Sequence, residues 1–291
     1  MHEAMGHCKA LAHPNWFATT IAALLVVGIL GSYIPQFIKI WQKRSSAGLS
    51  PYWILLGGLS SICAFGNIIS LPASREDISC CKEINGVACA AALLGVAQLV
   101  VQCTCFMIIV ILFVVYFPTN NRDTAAATET EHPHEPPANE KHRLVVMLTI
   151  PSAIFTVLFV TIVITNAFHK YDQFWADLLG TIAGILAGIQ YVPQIFYTWK
   201  LQDLKSLSVF TLLVQAPGAF VFAASLANRV GIKRGWSTWL PYVVTGTLQI
   251  ALLIMAAWFK NTELRNHSAS KPVGDDNSER APLLPQRQPD S

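Results

Sequence analysis

Charge is what this sequence has least of. Asp, Glu, Lys and Arg make up 13% of its 291 residues, against roughly 25% in an ordinary soluble domain. Apolar residues make up 53% and the mean hydropathy is +0.45, which leaves too few polar side chains to cover a soluble core of that size. The net charge of +3 is too small to imply a nucleic-acid partner, and the basic residues are scattered rather than gathered on one face. The chain also lacks a Ser/His/Asp arrangement, a carboxylate pair inside an apolar run and a nucleotide loop, which argues against an enzyme and against a bound cofactor. Its seven cysteines show no zinc-ligand spacing, so no metal is expected. Cys103 and Cys105 fall in an apolar run and read as buried, inert thiols. Cys8, Cys80 and Cys81 lie outside such runs, where one disulfide is open to them if their side faces a lumen. The opening MHEAMGHCKALAHPNW lacks the charged-then-apolar order of a signal peptide, so targeting falls to the first apolar run.

What the sequence has is a series of long apolar runs. A bilayer crossing takes about 20 mostly apolar residues. Seven stretches qualify: Trp16–Trp41, Tyr52–Leu71, Val87–Phe117, Leu144–Asn166, Trp175–Trp199, Val209–Asn228 and Trp239–Lys260. Trp or Tyr stands at many of their ends, as residues that favour the membrane interface do. The expected fold class is therefore an all-α integral membrane protein of seven transmembrane helices in the bilayer. Residues 118–143 read as a disordered, Pro-rich loop whose His132, His134 and His142 are solvated, and 261–291 as a disordered tail. Lys39, Lys43, Arg44, Lys141, Arg143 and Lys200 put the larger share of positive charge on one side, which is then cytosolic, with the N-terminal 1–15 lumenal.

The runs repeat. SYIPQFIKIW at Ser32–Trp41 and QYVPQIFYTW at Gln190–Trp199 share the frame Tyr-x-Pro-Gln-x-x-x-x-Trp. The same register shift lays Tyr33 on Tyr191, Pro35 on Pro193, Gln36 on Gln194, and the later Leu49-Ser50 on Leu207-Ser208. Residues 16–117 and 175–260 each hold three spans, and the span at 144–166 joins them, giving three plus one plus three. An odd connecting helix makes the two triplets parallel, related by an axis along the membrane normal. A proline inside a helix removes an N–H and displaces the carbonyl four residues earlier, near Gly31 and Ile189 here. In a bilayer those carbonyls need partners, and the adjacent glutamine is an amide that both donates and accepts. The kinks either flex as hinges or are fixed and shape packing.

These paired Tyr-x-Pro-Gln segments, each followed by a basic turn and Leu-Ser, resemble the PQ-loop repeat family, in its cystinosin and vacuolar-lysosomal amino-acid transporter branch, related to the SWEET transporters. The resemblance implies a seven-helix carrier of small solutes, most often amino acids moved with protons, with a site between the triplets. It makes Pro35, Gln36, Pro193 and Gln194 the motif residues and hinges. It also implies an acidic, proton-coupling residue seven positions after Ser208, but Gln215 stands there and cannot titrate.

The remaining polar residues inside the runs are few. Asp177 is the candidate for proton exchange, or else a solvated acid near a helix N-terminus. Tyr33, Asn67, Gln98, Gln102, Gln190, Tyr191 and Gln215 are candidates for binding solute. Gln98 and Gln102, four residues apart, share a helix face on which they line a cavity or bond between helices. In the tail, ERAPLL fits the acidic dileucine pattern through Glu279, Leu283 and Leu284. That pattern resembles sorting signals read by clathrin-adaptor complexes and points to a vacuolar or lysosomal membrane. A SWEET-like sugar carrier and a nutrient sensor or scaffold recruiting cytosolic proteins are the alternatives.

Overall fold

A computed structural model of the protein describes residues 8–46, 49–117, 138–201 and 209–269. Among them are seven long helices and two short ones, and no strand. The first triplet is α1 (Trp16–Lys43), α2 (Pro51–Ser70) and, after the short α3 (Pro72–Cys80) and α4 (Gly86–Ala92), α5 (Leu94–Val115). The connecting helix is α6 (Ala138–Ala167). The second triplet is α7 (Asp172–Leu201), α8 (Val209–Val230) and α9 (Trp236–Ala269). Six of the long helices are apolar enough along their length to cross a membrane, and α8, at 22 residues, is long enough to be the seventh. This is a multi-pass membrane protein.

Local chemistry sets the helix ends. Asn15 caps α1, its side-chain oxygen accepting from the backbone N–H of Phe17 at 3.1 Å and of Ala18 at 3.4 Å. The helix stops at Arg44, whose left-handed backbone (φ 48°) turns the chain. The following Ser46 is pinned to the end of α5, its N–H donating to Tyr116 O at 2.9 Å. Pro51 opens α2 in its first turn, where a missing N–H costs nothing. Pro35 and Pro193 both sit inside otherwise continuous helices.

In each triplet the third helix packs between the other two: α5 against α1 and α2, α9 against α7 and α8. The triplets meet mainly where α2 lies along α7, and α6 covers the outer side of α2. Small residues permit that approach. A Cβ at Gly180 of α7 would run into Asn67 of α2, and one at Gly66 of α2 into Leu179 of α7. Ile54, Ile62, Phe106, Ile109, Phe113 and Leu179 fill one core. A second, of Ile68, Leu71, Leu99, Ala176, Phe222, Leu226 and Val230, closes the end of the bundle from which the chain starts. Large apolar side chains such as Phe17, Leu24, Phe155, Ile162 and Ile254 point outward, as a lipid-facing surface requires.

Several expectations need correction. The third span begins at Leu94, not Val87, because the helix breaks at Leu93 and Gly86–Ala92 forms a separate turn capped by Asn85. Cys89 is thereby outside the span and bonded to Cys81, while Cys8 is bonded to Cys80. Two disulfides are thus present where the sequence left one open among Cys8, Cys80 and Cys81. The connecting helix starts at Ala138, within the stretch expected to be a disordered loop, and His142 there packs edge-on against Tyr52 at 5.5 Å. The last helix likewise runs to Ala269, well into the expected tail.

Candidate functional site

The polar side chains inside the bundle sort by depth. Near the disulfide-bearing end, Asn67 of α2 is 1% exposed and joins three helices. Its Nδ2 donates to Ala176 O at 2.6 Å and Ser237 Oγ at 3.0 Å, and its Oδ1 accepts from Thr238 Oγ1 at 2.6 Å. Both ends of that amide are occupied, so Asn67 is a packing knot between the repeats. Gln98, fully buried, does the same for α5: its Nε2 donates to Ala22 O at 3.1 Å and Ser225 Oγ at 3.4 Å. Because a carbonyl can only accept, the bond to Ala22 fixes which end of the amide is nitrogen. Gln98 Oε1 is left without a partner among the described residues.

At mid-depth the two motif tyrosines come together. Tyr33 of α1 lies near Tyr191 of α7, Tyr242 of α9 and Cys103 of α5. Tyr242 Oη donates to Gln102 Oε1 at 3.2 Å, which crosses from the second repeat to the first. Gln249 Nε2 donates to Tyr191 Oη at 2.9 Å, and Gln249 Oε1, buried, has no partner among the described residues. Gln190, the residue before Tyr191 on α7, donates through Nε2 to Trp53 O at 3.3 Å, again joining the repeats. Leaving a buried carbonyl oxygen unpaired costs about 1–3 kcal/mol. Two such oxygens remain, one on Gln98 and one on Gln249, the latter in a ring of phenols and amides with Tyr33, Gln102, Tyr191 and Tyr242. The ring carries no formal charge, so its chemistry is hydrogen bonding to a neutral or zwitterionic group with donors of its own.

The structure therefore brings together Tyr33, Gln102 and Tyr191 of the sequence candidates, places Gln190 against Trp53 of α2 and sets the others apart. Gln215 is exposed on α8, Pro35 and Pro193 face outward from their helices, and Gln36 is half-buried. Of Gln194 only the backbone, inside α7, is described. Asp177 lies in the second turn of α7, since that helix begins at Asp172 rather than at Trp175. Its Oδ2 accepts from Gln173 Nε2 at 3.1 Å, while its buried Oδ1 has no partner among the described residues. Glu279, Leu283 and Leu284 lie outside the described residues. Tyr242 was missed by sequence reasoning, although Tyr242 and Gln249, seven residues apart, mark one face of the last helix. The ion pair between Arg75 and Asp172 was missed too, and a separation of 97 residues gave no signal for it.

Comparison with known proteins agrees with this geometry. The PQ-loop repeat model matches residues 17–74 and 175–229, the opening part of each triplet. Each matched stretch contains one of the paired Tyr-x-Pro-Gln motifs. Its sequence is similar to that of an uncharacterised protein of Schizosaccharomyces pombe, 27% identical over 246 residues that cover 82% of this chain and 79% of the relative. Its fold is similar to that of a eukaryotic SWEET transporter, with a TM-score of 0.53 at 12% identity, over 84% of this chain and 96% of that one. Each PQ motif stands in the first helix of its repeat, and its tyrosine turns toward the shared polar ring.

Proposed function

We propose that this PQ-loop protein is a carrier of small solutes in the vacuolar or lysosomal membrane, moving a neutral or zwitterionic amino acid by alternating access with protons. The observation that carries the reading is the uncharged ring of Tyr33, Gln102, Tyr191, Tyr242 and Gln249, drawn from both repeats at mid-depth. A site between two parallel triplets is reached from either side when they rock, and the helices bearing Pro35 and Pro193 are the hinges. Basic amino acids fit poorly, since no carboxylate stands in the ring to balance a second positive charge. Asp177, with one buried oxygen unpaired, is the proton-exchanging group. Gln215 cannot take that part.

The two disulfides support a lumenal N-terminus, because such bonds persist in oxidising compartments and both lie at the end of the bundle where the chain begins. The ERAPLL signal then sits on a cytosolic tail, where a clathrin adaptor reads it. The fold shared with a SWEET transporter keeps a sugar as the second reading, since the ring would serve hydroxyl donors equally well.

The test is uptake of labelled amino acids and sugars into proteoliposomes, with and without an inward-acid gradient, beside Pro193→Leu. Gradient-driven flux of one amino-acid class, lost in the variant, is the expected outcome. Sugar flux indifferent to pH would replace amino acid by sugar. Folded protein that moves nothing would replace the carrier by a sensor or scaffold.

A further inference from the structure

Helix α3 does not cross the membrane, yet it is the most heavily fastened part of the chain. Its last residue, Cys80, is bonded to Cys8 ahead of α1, and the next residue, Cys81, is bonded to Cys89 in α4. Every one of these attachments lies within the first repeat, so α3, α4 and the start of the chain form one rigid plate on the disulfide-bearing face. Cys81–Cys89 closes a short loop over a separation of 8 residues, and Cys8–Cys80 ties the start of the chain to α3 across 72.

The plate's polar contacts with the second repeat are of a different kind. Arg75 of α3 donates through Nη1 to Asp172 Oδ2 at 2.7 Å, at the first turn of α7, and His169 Nδ1 stands 3.7 Å from the same oxygen. Arg229, in the last turn of α8, donates to the carbonyl of Ala91 in α4. Gly95 at the start of α5 leaves room for that arginine, whose Cδ would stand 3.2 Å from a Cβ there. The plate thus presents a cation to the start of α7 and a backbone carbonyl to the end of α8. Beneath it lies the apolar seal of Leu71, Leu99, Leu226 and Val230. No covalent bond among the described residues crosses from plate to second repeat, so these contacts separate without breaking the plate.

We propose that α3 is the moving part of a gate on this face: a disulfide-stiffened plate latched to the second repeat by Arg75 on Asp172 and by Arg229 on the carbonyl of Ala91. The latch shuts the path to the tyrosine ring from that side and opens when the repeats rock apart. The gate deepens the carrier reading and rests on it only in needing a central site to shield.

Cys103 is a native reporter, because it lies beside Tyr33 and Tyr242. With Cys63→Ala and Cys105→Ala removing the other free thiols, a membrane-impermeant thiosulfonate is applied to sealed vesicles of each orientation. Arg75→Gln and Arg229→Gln are each expected to raise Cys103 labelling from the disulfide-bearing face by about fivefold, the scale of one partly exposed charged contact. The exchange of Arg75→Asp with Asp172→Arg is expected to bring it back towards the starting rate. Labelling unchanged by either single variant, in protein that elutes as a single folded species, would overturn the latch. So would equal increases from both faces, which would mean general loosening. Labelling needs no solute, so altered labelling without flux removes the carrier and keeps the gate.

Discussion

Replacing Asn67 by leucine separates two roles that the sequence could not tell apart. If Asn67 binds solute, its loss weakens substrate affinity and leaves the fold alone. If it is the knot described above, the loss falls on stability. Three hydrogen bonds of 2.6, 3.0 and 2.6 Å disappear together. Interhelical bonds in membrane proteins average about 0.6 kcal/mol each, so the bonds alone come to about 2 kcal/mol. The hydroxyls of Ser237 and Thr238, 1% and 3% exposed, lose their partner as well. Leucine is close to asparagine in size, so cavity formation adds little, but Gly180 lies against Asn67 Nδ2 and leaves no slack for a branched side chain. A total of about 3 kcal/mol is expected, read as a fall of roughly 5–10 °C in the unfolding midpoint of detergent-purified protein. Flux per folded molecule should keep its half-saturating concentration. A midpoint within 1–2 °C of the unaltered protein, together with a raised half-saturating concentration, would refute the knot and return Asn67 to the binding site.

The ring makes the opposite forecast for Tyr242→Phe. That change removes one hydroxyl donated to Gln102, so stability should move by less than about 1 kcal/mol while half-saturation for solute rises several-fold; unchanged uptake would exclude Tyr242 from the site. Gly180→Val should prevent accumulation of folded protein, because its Cβ has nowhere to go except into the backbone of Ser237; normal yield and elution would mean that α7 and α9 are farther apart than described. Cross-linking across the tight seam, with Ser60→Cys and Ala183→Cys, should spare flux. Cross-linking Ala22→Cys to Ser225→Cys, which flank Gln98 between α1 and α8, should stop it. Equal effects of the two pairs would refute a seam that stays closed while the other opens.

The number and order of the helices were legible because lipid imposes one simple rule, about 20 apolar residues per crossing. The pairing of triplets was legible because Tyr33-x-Pro35-Gln36 and Tyr191-x-Pro193-Gln194 repeat in frame. Where a helix stops was harder to read. Val87–Phe117 is apolar throughout, and nothing in its hydropathy reveals that the helix breaks at Leu93. Polarity alone also failed to separate binder from fastener: Asn67, Gln98 and Gln102 look alike in sequence, yet one is satisfied, one half-satisfied and one bonded to a tyrosine 140 residues away. Such distinctions depend on which carbonyls and hydroxyls the opposite repeat supplies, and no local pattern records that.

Sequence repetition has not produced equal packing. Under the repeat, the contact of α2 with α7 corresponds to that of α8 with α1, yet the first is an extended seam and the second is sparse. The residues explain the difference. The first seam has Gly57, Gly66 and Gly180 at points where a neighbour's side chain or backbone occupies the space of a missing Cβ. At the second, Gly28 and Gly31 of α1 have open space in that position, and Gly218 of α8 does too. Connecting helix α6 adds weight to α2 and none to α8. A bundle fastened along one seam and loose along its counterpart has an axis to rock about, and the loose side, between α1 and α8, is where the motif tyrosine of the first repeat meets the ring.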